Sequence, residues 1–147
     1  MKTIIAGSRG ITDTAVVDLA LKNCWWVPSV VICGGARGVD ASGLQWAKDH
    51  GVPTVVHEAD WDLHGRAAGP IRNNAMLSCA DALVAIWDGT SPGTRHIIRE
   101  AGKRGLCVFV ASRDGLPLEK ESHPPPHVDL VPLSRCRERL RGLKTLE

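Results

Sequence analysis

The sequence lacks most of the features that disclose a function at sight. It carries little net charge: 18 basic side chains against 16 acidic ones leave +2 over 147 residues. Nothing in that total demands nucleic acid or a membrane surface as partner, so any anion site has to be local. No apolar run approaches the roughly 20 residues that span a bilayer. Only Thr3-Ile4-Ile5-Ala6 separate Lys2 from Gly7, too few for a signal-peptide core. A soluble, cytoplasmic protein without a membrane partner is the expectation. The cysteines, Cys24, Cys33, Cys79, Cys107 and Cys136, are widely spaced with no CxxC, and the histidines show no metal spacing. Free buried thiols are therefore expected, with no metal and no cofactor. Neither GxGxxG nor GxxxxGK[ST] occurs, which disfavours the dinucleotide fingerprint and the P-loop. Ser8 and Ser91 have no recognisable base, so a serine nucleophile is unsupported.

What the sequence does have is alternation. At 147 residues and 44% hydrophobic content it suits one globular unit. Short apolar runs at 3–6, 30–33, 54–57, 82–87 and 107–111 read as strands, nearly continuous as buried parallel strands are. Between them, helical spacing places Ala15, Val16, Leu19 and Ala20 on one face, and helices are also predicted over 39–50, 70–79 and 93–104. The fold expected is α/β, a Rossmann-like three-layer sandwich with a mostly parallel sheet, occupying residues 1–111. Residues 112–130, with Pro117 and Pro124-Pro125-Pro126, read as a proline-rich linker. Over 131–147, Leu133, Cys136, Leu140 and Leu143 form a stripe beside Arg135, Arg137, Arg139 and Arg141, an amphipathic basic helix. It either packs on its own domain or a sister subunit, or meets nucleic acid or a partner protein.

Ligands of open parallel sheets sit beyond the carboxyl ends of the strands. The expected turns there are Gly7-Ser8-Arg9-Gly10, Gly34-Gly35-Ala36-Arg37-Gly38, the loop around Ala67-Ala68-Gly69-Pro70, and Asp88-Gly89-Thr90-Ser91-Pro92-Gly93-Thr94. Glycine admits positive φ and lets backbone N–H groups approach a ligand, and the helix N-termini that follow favour an anion. Arg9, Arg37 and Arg72 offer forked charged hydrogen bonds to the same anion. Asp40 either takes part or caps the helix that follows it, and Asn73 either contacts the ligand or satisfies local backbone. Trp61 stacks on a base or packs; Trp25, Trp26 and Trp46 read as packing; His64 and His96 read as surface.

"GSRG", "GGARGVD", "ADW" followed by "AAGPIRNNAM", and "DALVAIWDGTSPGT" together resemble the YspA-like branch of the SLOG superfamily. These are Rossmann-like domains related to the LONELY GUY phosphoribohydrolases and the Smf/DprA DNA-processing proteins. The resemblance covers residues 1–111. It implies a nucleotide lying across the turns, with phosphate held at Ser91, Gly93 and Thr94, and it implies a homo-oligomer. Arg72 and Met76 match an R-x-x-x-M element of the LONELY GUY enzymes, but Ile97 stands where those enzymes carry a glutamate. Cleavage of an N-glycosidic bond needs a carboxylate. Asp40, Asp60, Asp88 and Glu100 are the alternatives, with Asp88 best placed at a strand end.

The site expected is therefore Gly7, Ser8, Arg9, Gly34, Gly35, Arg37, Asp40, Gly69, Arg72, Asn73, Asp88, Gly89, Ser91, Gly93 and Thr94, with Arg72 and Asp88 catalytic in the event of hydrolysis. Binding or sensing of a nucleoside monophosphate or ADP-ribose-like ligand is the leading expectation. An N-glycosidase is the second, and single-stranded DNA binding through Arg9, Arg37 and the basic C-terminal stretch the third.

Overall fold

A computed structural model describes residues 1–118 and 120–123. Five strands, β1 (Lys2–Gly7), β2 (Val30–Cys33), β3 (Thr54–Val56), β4 (Ala82–Ile86) and β5 (Cys107–Ala111), form one sheet in the order β3-β2-β1-β4-β5. Every neighbouring pair in that order is parallel. All five carboxyl ends therefore lie along one edge. The chain order reverses between β1 and β4, which opens a crevice there.

The helices are α1 (Thr14–Asn23), α2 (Val39–Asp49), α3 (Trp61–His64), α4 (Ala68–Cys79) and α5 (Pro92–Lys103). Successive side chains of a strand point to opposite faces, and two cores result. Ile5, Val31, Cys33, Val84, Ile86 and Phe109 meet Val17, Ala20 and Leu21 of α1 and Val39 and Ala47 of α2. On the other face Ile4, Ala6, Ile32, Leu83 and Val108 meet Met76 and Leu77 of α4 and Ile97, Ile98 and Ala101 of α5. This is the expected three-layer Rossmann-like sandwich. Trp25 and Trp26 do pack: Trp25 meets Phe109 edge-on at 5.8 Å, and the Trp26 indole N–H donates to the buried Thr3 hydroxyl at 2.9 Å.

Two segments depart from the expectation. The loop around Trp61 is helical: α3 runs straight into a 3-10 turn, Gly65–Ala67, and that turn into α4. Asp60 begins α3 by accepting the Leu63 N–H at 3.0 Å. The second segment is the start of the expected linker, residues 112–118 and 120–123, which pair with the sheet edge. After β5 the chain turns at Gly115, with φ +79°, and doubles back along the open edge of β5. Leu118 N–H donates to the Val110 carbonyl, and Val108 and His123 exchange both backbone bonds. Prolines suit such an edge because they owe the ladder no N–H. Residue 119, the proline run 124–126 and the basic stretch 131–147 lie outside the described residues. Among the described residues no helix is long and apolar enough to cross a membrane.

Close contact between the turns requires glycine at specific points. A Cβ on Gly7 would collide with the Ile86 carbonyl oxygen and approach Val39 Cγ2 to 2.7 Å. At Gly38, where φ is +80°, it would lie 2.6 Å from the Ser8 carbonyl oxygen. Gly10 has nothing within 4 Å and an ordinary φ. Gly38→Ala should accordingly cost at least ~2 kcal/mol of stability and Gly10→Ala less than ~0.5 kcal/mol, measured by denaturant unfolding. Equal costs would contradict this packing. The thiols offer a second check. Cys24, Cys33 and Cys107 are buried and Cys79 exposed, and burial pushes Cys33 far up and Cys107 up to about 12. Maleimide should modify Cys79 in the folded protein and reach Cys24, Cys33 and Cys107 only on unfolding, as read by peptide mass spectrometry.

Candidate functional site

The crevice at the strand ends is a cleft of about 570 Å³, inside the usual range for small-molecule sites. Its walls come from four segments: Gly7 to Gly10 after β1, Ala36 and Asp40 entering α2, Trp61 to Met76 through α3 and α4, and Ser91 to Ile97 opening α5. Ten of the residues expected at the site line it: Gly7, Ser8, Arg9, Asp40, Gly69, Arg72, Asn73, Ser91, Gly93 and Thr94. Gly34, Gly35 and Arg37 line a smaller annex of about 350 Å³ instead, which shares Arg9, Ala36, Trp61 and Arg72 with the cleft and adds Glu58. Asp88 and Gly89 line neither.

Arg72 is the central side chain. Its Nη1 donates to the Gly34 carbonyl at 2.6 Å and its Nε to Asn73 Oδ1 at 3.2 Å. Gly34 has to be glycine for this: a Cβ would overlap Arg72 Nη1 and come within 2.9 Å of Asp40 Oδ2. Burial draws Arg72 below the ordinary arginine value, and its neighbour Arg9 adds to that, while Asp40 opposes it. It nonetheless stays charged, as arginines in proteins do.

Asp40 is only 5% exposed. It does not cap its helix. Gly38 occupies the cap position of α2, and Asp40 Oδ2 instead accepts the Ala36 N–H at 3.2 Å, tying down the turn before the helix. Burial pushes its carboxyl above the usual carboxylate range, outweighing the Ala36 N–H and Arg72, which pull it down.

Asp88 has a different task from the one its strand-end position suggests. Its Oδ1 accepts the N–H groups of Thr90 and Ser91, both at 2.8 Å, and its Oδ2 the Ser91 hydroxyl at 2.9 Å. The Ser91 and Thr90 N–H groups hold the carboxyl well below the usual range. Its own N–H donates to Ser8 Oγ at 3.1 Å, and the Ser8 and Ser91 hydroxyls lie 2.9 Å apart. Each hydroxyl has one proton. With Ser91 donating to the carboxylate, Ser8 donates to Ser91, and the ring Asp88–Ser8–Ser91 closes. Asp88 is thus a clasp that locks the β4 turn to the β1 turn.

Using up Ser91 in this way leaves α5 uncapped: Ser91 precedes its first residue but makes no side-chain cap bond. Pro92 has no N–H, and the first-turn N–H groups of Gly93 and Thr94 have no intrahelical acceptor. Thr94 is 6% exposed, and its hydroxyl has no partner among the described residues. A concave wall of unpaired donors at a helix N-terminus is suited to an anion.

The sequence leaves Trp61 between stacking and packing and reads His96 as surface. Trp61 is 49% exposed and borders both cavities, with the Arg9 guanidinium 5.7 Å above its ring. His96 lines the cleft against Asn73. Arg66 also lines it and went unremarked in the sequence, where the one available signal was its place six residues before Arg72. Among the remaining acids, Asp60 caps α3 and Glu100 pairs with Lys103 at 3.1 Å; neither reaches the cleft.

Comparison with known proteins fits this geometry. The model of the YspA, cpYpsA-related SLOG family matches residues 1–64, the stretch holding the β1 and β2 turns. A protein of Mycobacterium phage D29 called Gene 61 protein is 40% identical over 117 residues, covering 74% of this chain and 94% of that one. Among solved structures, the DNA processing protein A (DprA) of Streptococcus pneumoniae superposes with a TM-score of 0.60 at 16% identity. It covers 97% of this chain, which spans 56% of that protein's length; at that identity the likeness is one of fold. From the family match over both glycine turns, and from the identity that runs nearly the whole length of the phage protein, the chain belongs to the YspA, cpYpsA-related SLOG family.

Proposed function

We propose that the cleft binds a nucleotide or nucleotide-derived ligand, as a sensor or binding protein, with a phosphate at the N-terminus of α5. The observation that carries this reading is the uncapped first turn of α5, where the unpartnered Thr94 hydroxyl faces the same cleft as Arg72. A phosphate satisfies these donors together, and its charge offsets the partial positive charge of the helix end. Trp61, half exposed at the rim, gives a base a ring to stack on. The family's nucleotide-related members favour the same ligand class.

A second reading, cleavage of an N-glycosidic bond, is favoured by one residue. Asp40 is the carboxyl in the cleft, buried and raised above its ordinary range beside Arg72. A buried carboxyl whose proton is held more tightly than usual is what such chemistry uses. Asp88, spent on its own turn, does not suit that role. Single-stranded DNA has the DprA fold likeness behind it and no side-chain observation.

A panel of nucleoside monophosphates and ADP-ribose should raise the melting temperature of the protein. Arg72→Ala and Thr94→Val should each weaken binding about tenfold or more, as expected for hydrogen bonds to a charged group. A panel that leaves the melting temperature unmoved, while single-stranded DNA raises it with steep salt dependence, would replace this reading with the DNA one. Free base released from a nucleotide, and abolished by Asp40→Asn, would establish hydrolysis.

Asp40 also gives a stability prediction. Its folded value lies above the unfolded one, so the ionised carboxyl costs stability, and wild-type stability should rise as pH falls from the folded value towards about 3.8. Asp40→Asn removes that cost. The variant should be the more stable protein at pH 8, and the difference should vanish near pH 4, as followed by denaturant midpoints.

A further inference from the structure

The Arg72–Asn73 pair reaches one residue further, and the chemistry of each partner fixes the next. An arginine side chain has donors and no acceptor. Asn73, 6% exposed, meets Arg72 Nε at 3.2 Å and must present its oxygen there. Its amide nitrogen is thereby turned the other way, 3.4 Å from the Gly93 carbonyl and 3.2 Å from His96 Nδ1. An amide NH₂ only donates, so the ring nitrogen it meets must be bare. The proton of the neutral imidazole then sits on Nε2.

From this order of donors we infer that His96 is a ligand contact, presenting a fixed Nε2–H donor to a phosphoryl oxygen bound at the start of α5. This rests on the nucleotide reading above and adds a residue that the sequence reading left at the surface. His96 lines the cleft in company with Gly93 and Thr94. It lies one turn into α5, and side chains on a helix lean towards its N-terminus, here towards the unpaired Gly93 and Thr94 donors. Phosphate has acceptors to spare for such a third donor. A ligand that offered a donor of its own at that point would meet N–H against N–H and be rejected. Asn73 acts as a positioning residue: it sets the tautomer while its burial keeps it from exchanging its bonds for water.

Two measurements on the full chain test this. Long-range ¹H–¹⁵N correlation of the imidazole rings reads the tautomer directly: wild type should show His96 protonated at Nε2, and Asn73→Asp, which turns a carboxylate oxygen to Nδ1, should place a proton on Nδ1. A wild-type Nδ1–H pattern overturns the assignment without reference to any ligand. Titration with AMP supplies the second reading. His96→Ala should weaken binding about tenfold, His96→Asn should lose as much because its amide reaches only the Nδ1 position, and His96→Gln, which carries an N–H near Nε2, should recover most of the loss. If His96→Gln binds no better than His96→Ala, the contact is overturned while the nucleotide reading stands. If wild type binds no AMP but binds ADP-ribose, the same series is read with that ligand. Silence with both sinks the nucleotide reading and this contact together.

Discussion

The hydrogen bond from Arg72 to the Gly34 carbonyl, 2.6 Å long, is the interaction on which the rest of the cleft depends. It joins α4 to the turn after β2 across the crevice mouth. It is available because Gly34 has no Cβ to overlap the guanidinium. A rigid planar group with one N–H committed to Gly34 and another to Asn73 has a fixed plane, and its remaining donors have fixed directions. Asn73 inherits its orientation from that plane. The cost is partial burial of a cation, offset by Asp40, itself a buried acid whose carboxyl is pushed up.

The second constraint is steric and lies on the other side of the cleft. The β1 and β2 turns touch at Gly7 and Gly38, where a methyl group would strike backbone carbonyls. Backbone cannot yield as a flexible side chain does. The Asp88–Ser8–Ser91 ring then ties the β4 turn to the same spot. Three strand ends are thus held together by backbone contact and short polar bonds.

Much of this was legible in the sequence. Buried parallel strands leave nearly unbroken apolar runs, and β4 and β5 are fully buried along their lengths. Glycines where turns must abut are visible because no other residue serves there. Legibility ended where a residue's role depends on its partner in space. Asp40 and Asp88 are both acids beside glycine turns, yet one is buried and raised and the other clasped and lowered. Nothing local in "GVD" or "WDG" separates them. The doubling back of 112–118 and 120–123 is hidden in the sequence because edge pairing is a backbone interaction, indifferent to the prolines and charges that colour the composition. The helical turns over 61–67 are too short to leave a periodic signal. His96 looked like surface because the bond that defines it comes from a residue on another helix.

The near-balance of total charge, +2, conceals a concentration at one place. Arg9, Arg66 and Arg72 line the cleft against Asp40 alone, and Arg37 joins Arg9 and Arg72 at the annex against Glu58. Elsewhere among the described residues two ion pairs form, Lys22 with Asp18 and Lys103 with Glu100. Among the described residues, arginines gathered against a single carboxyl make the cleft electropositive. A nucleic-acid strand needs a basic track running beyond the pocket, with aromatic platforms in succession. Trp61 is a single exposed ring at the cleft, and about 570 Å³ has room for a nucleotide. The fold supplies the glycine turns whatever the ligand, so it is the size and charge of the cleft, and not the fold, that bear on what the cleft can hold.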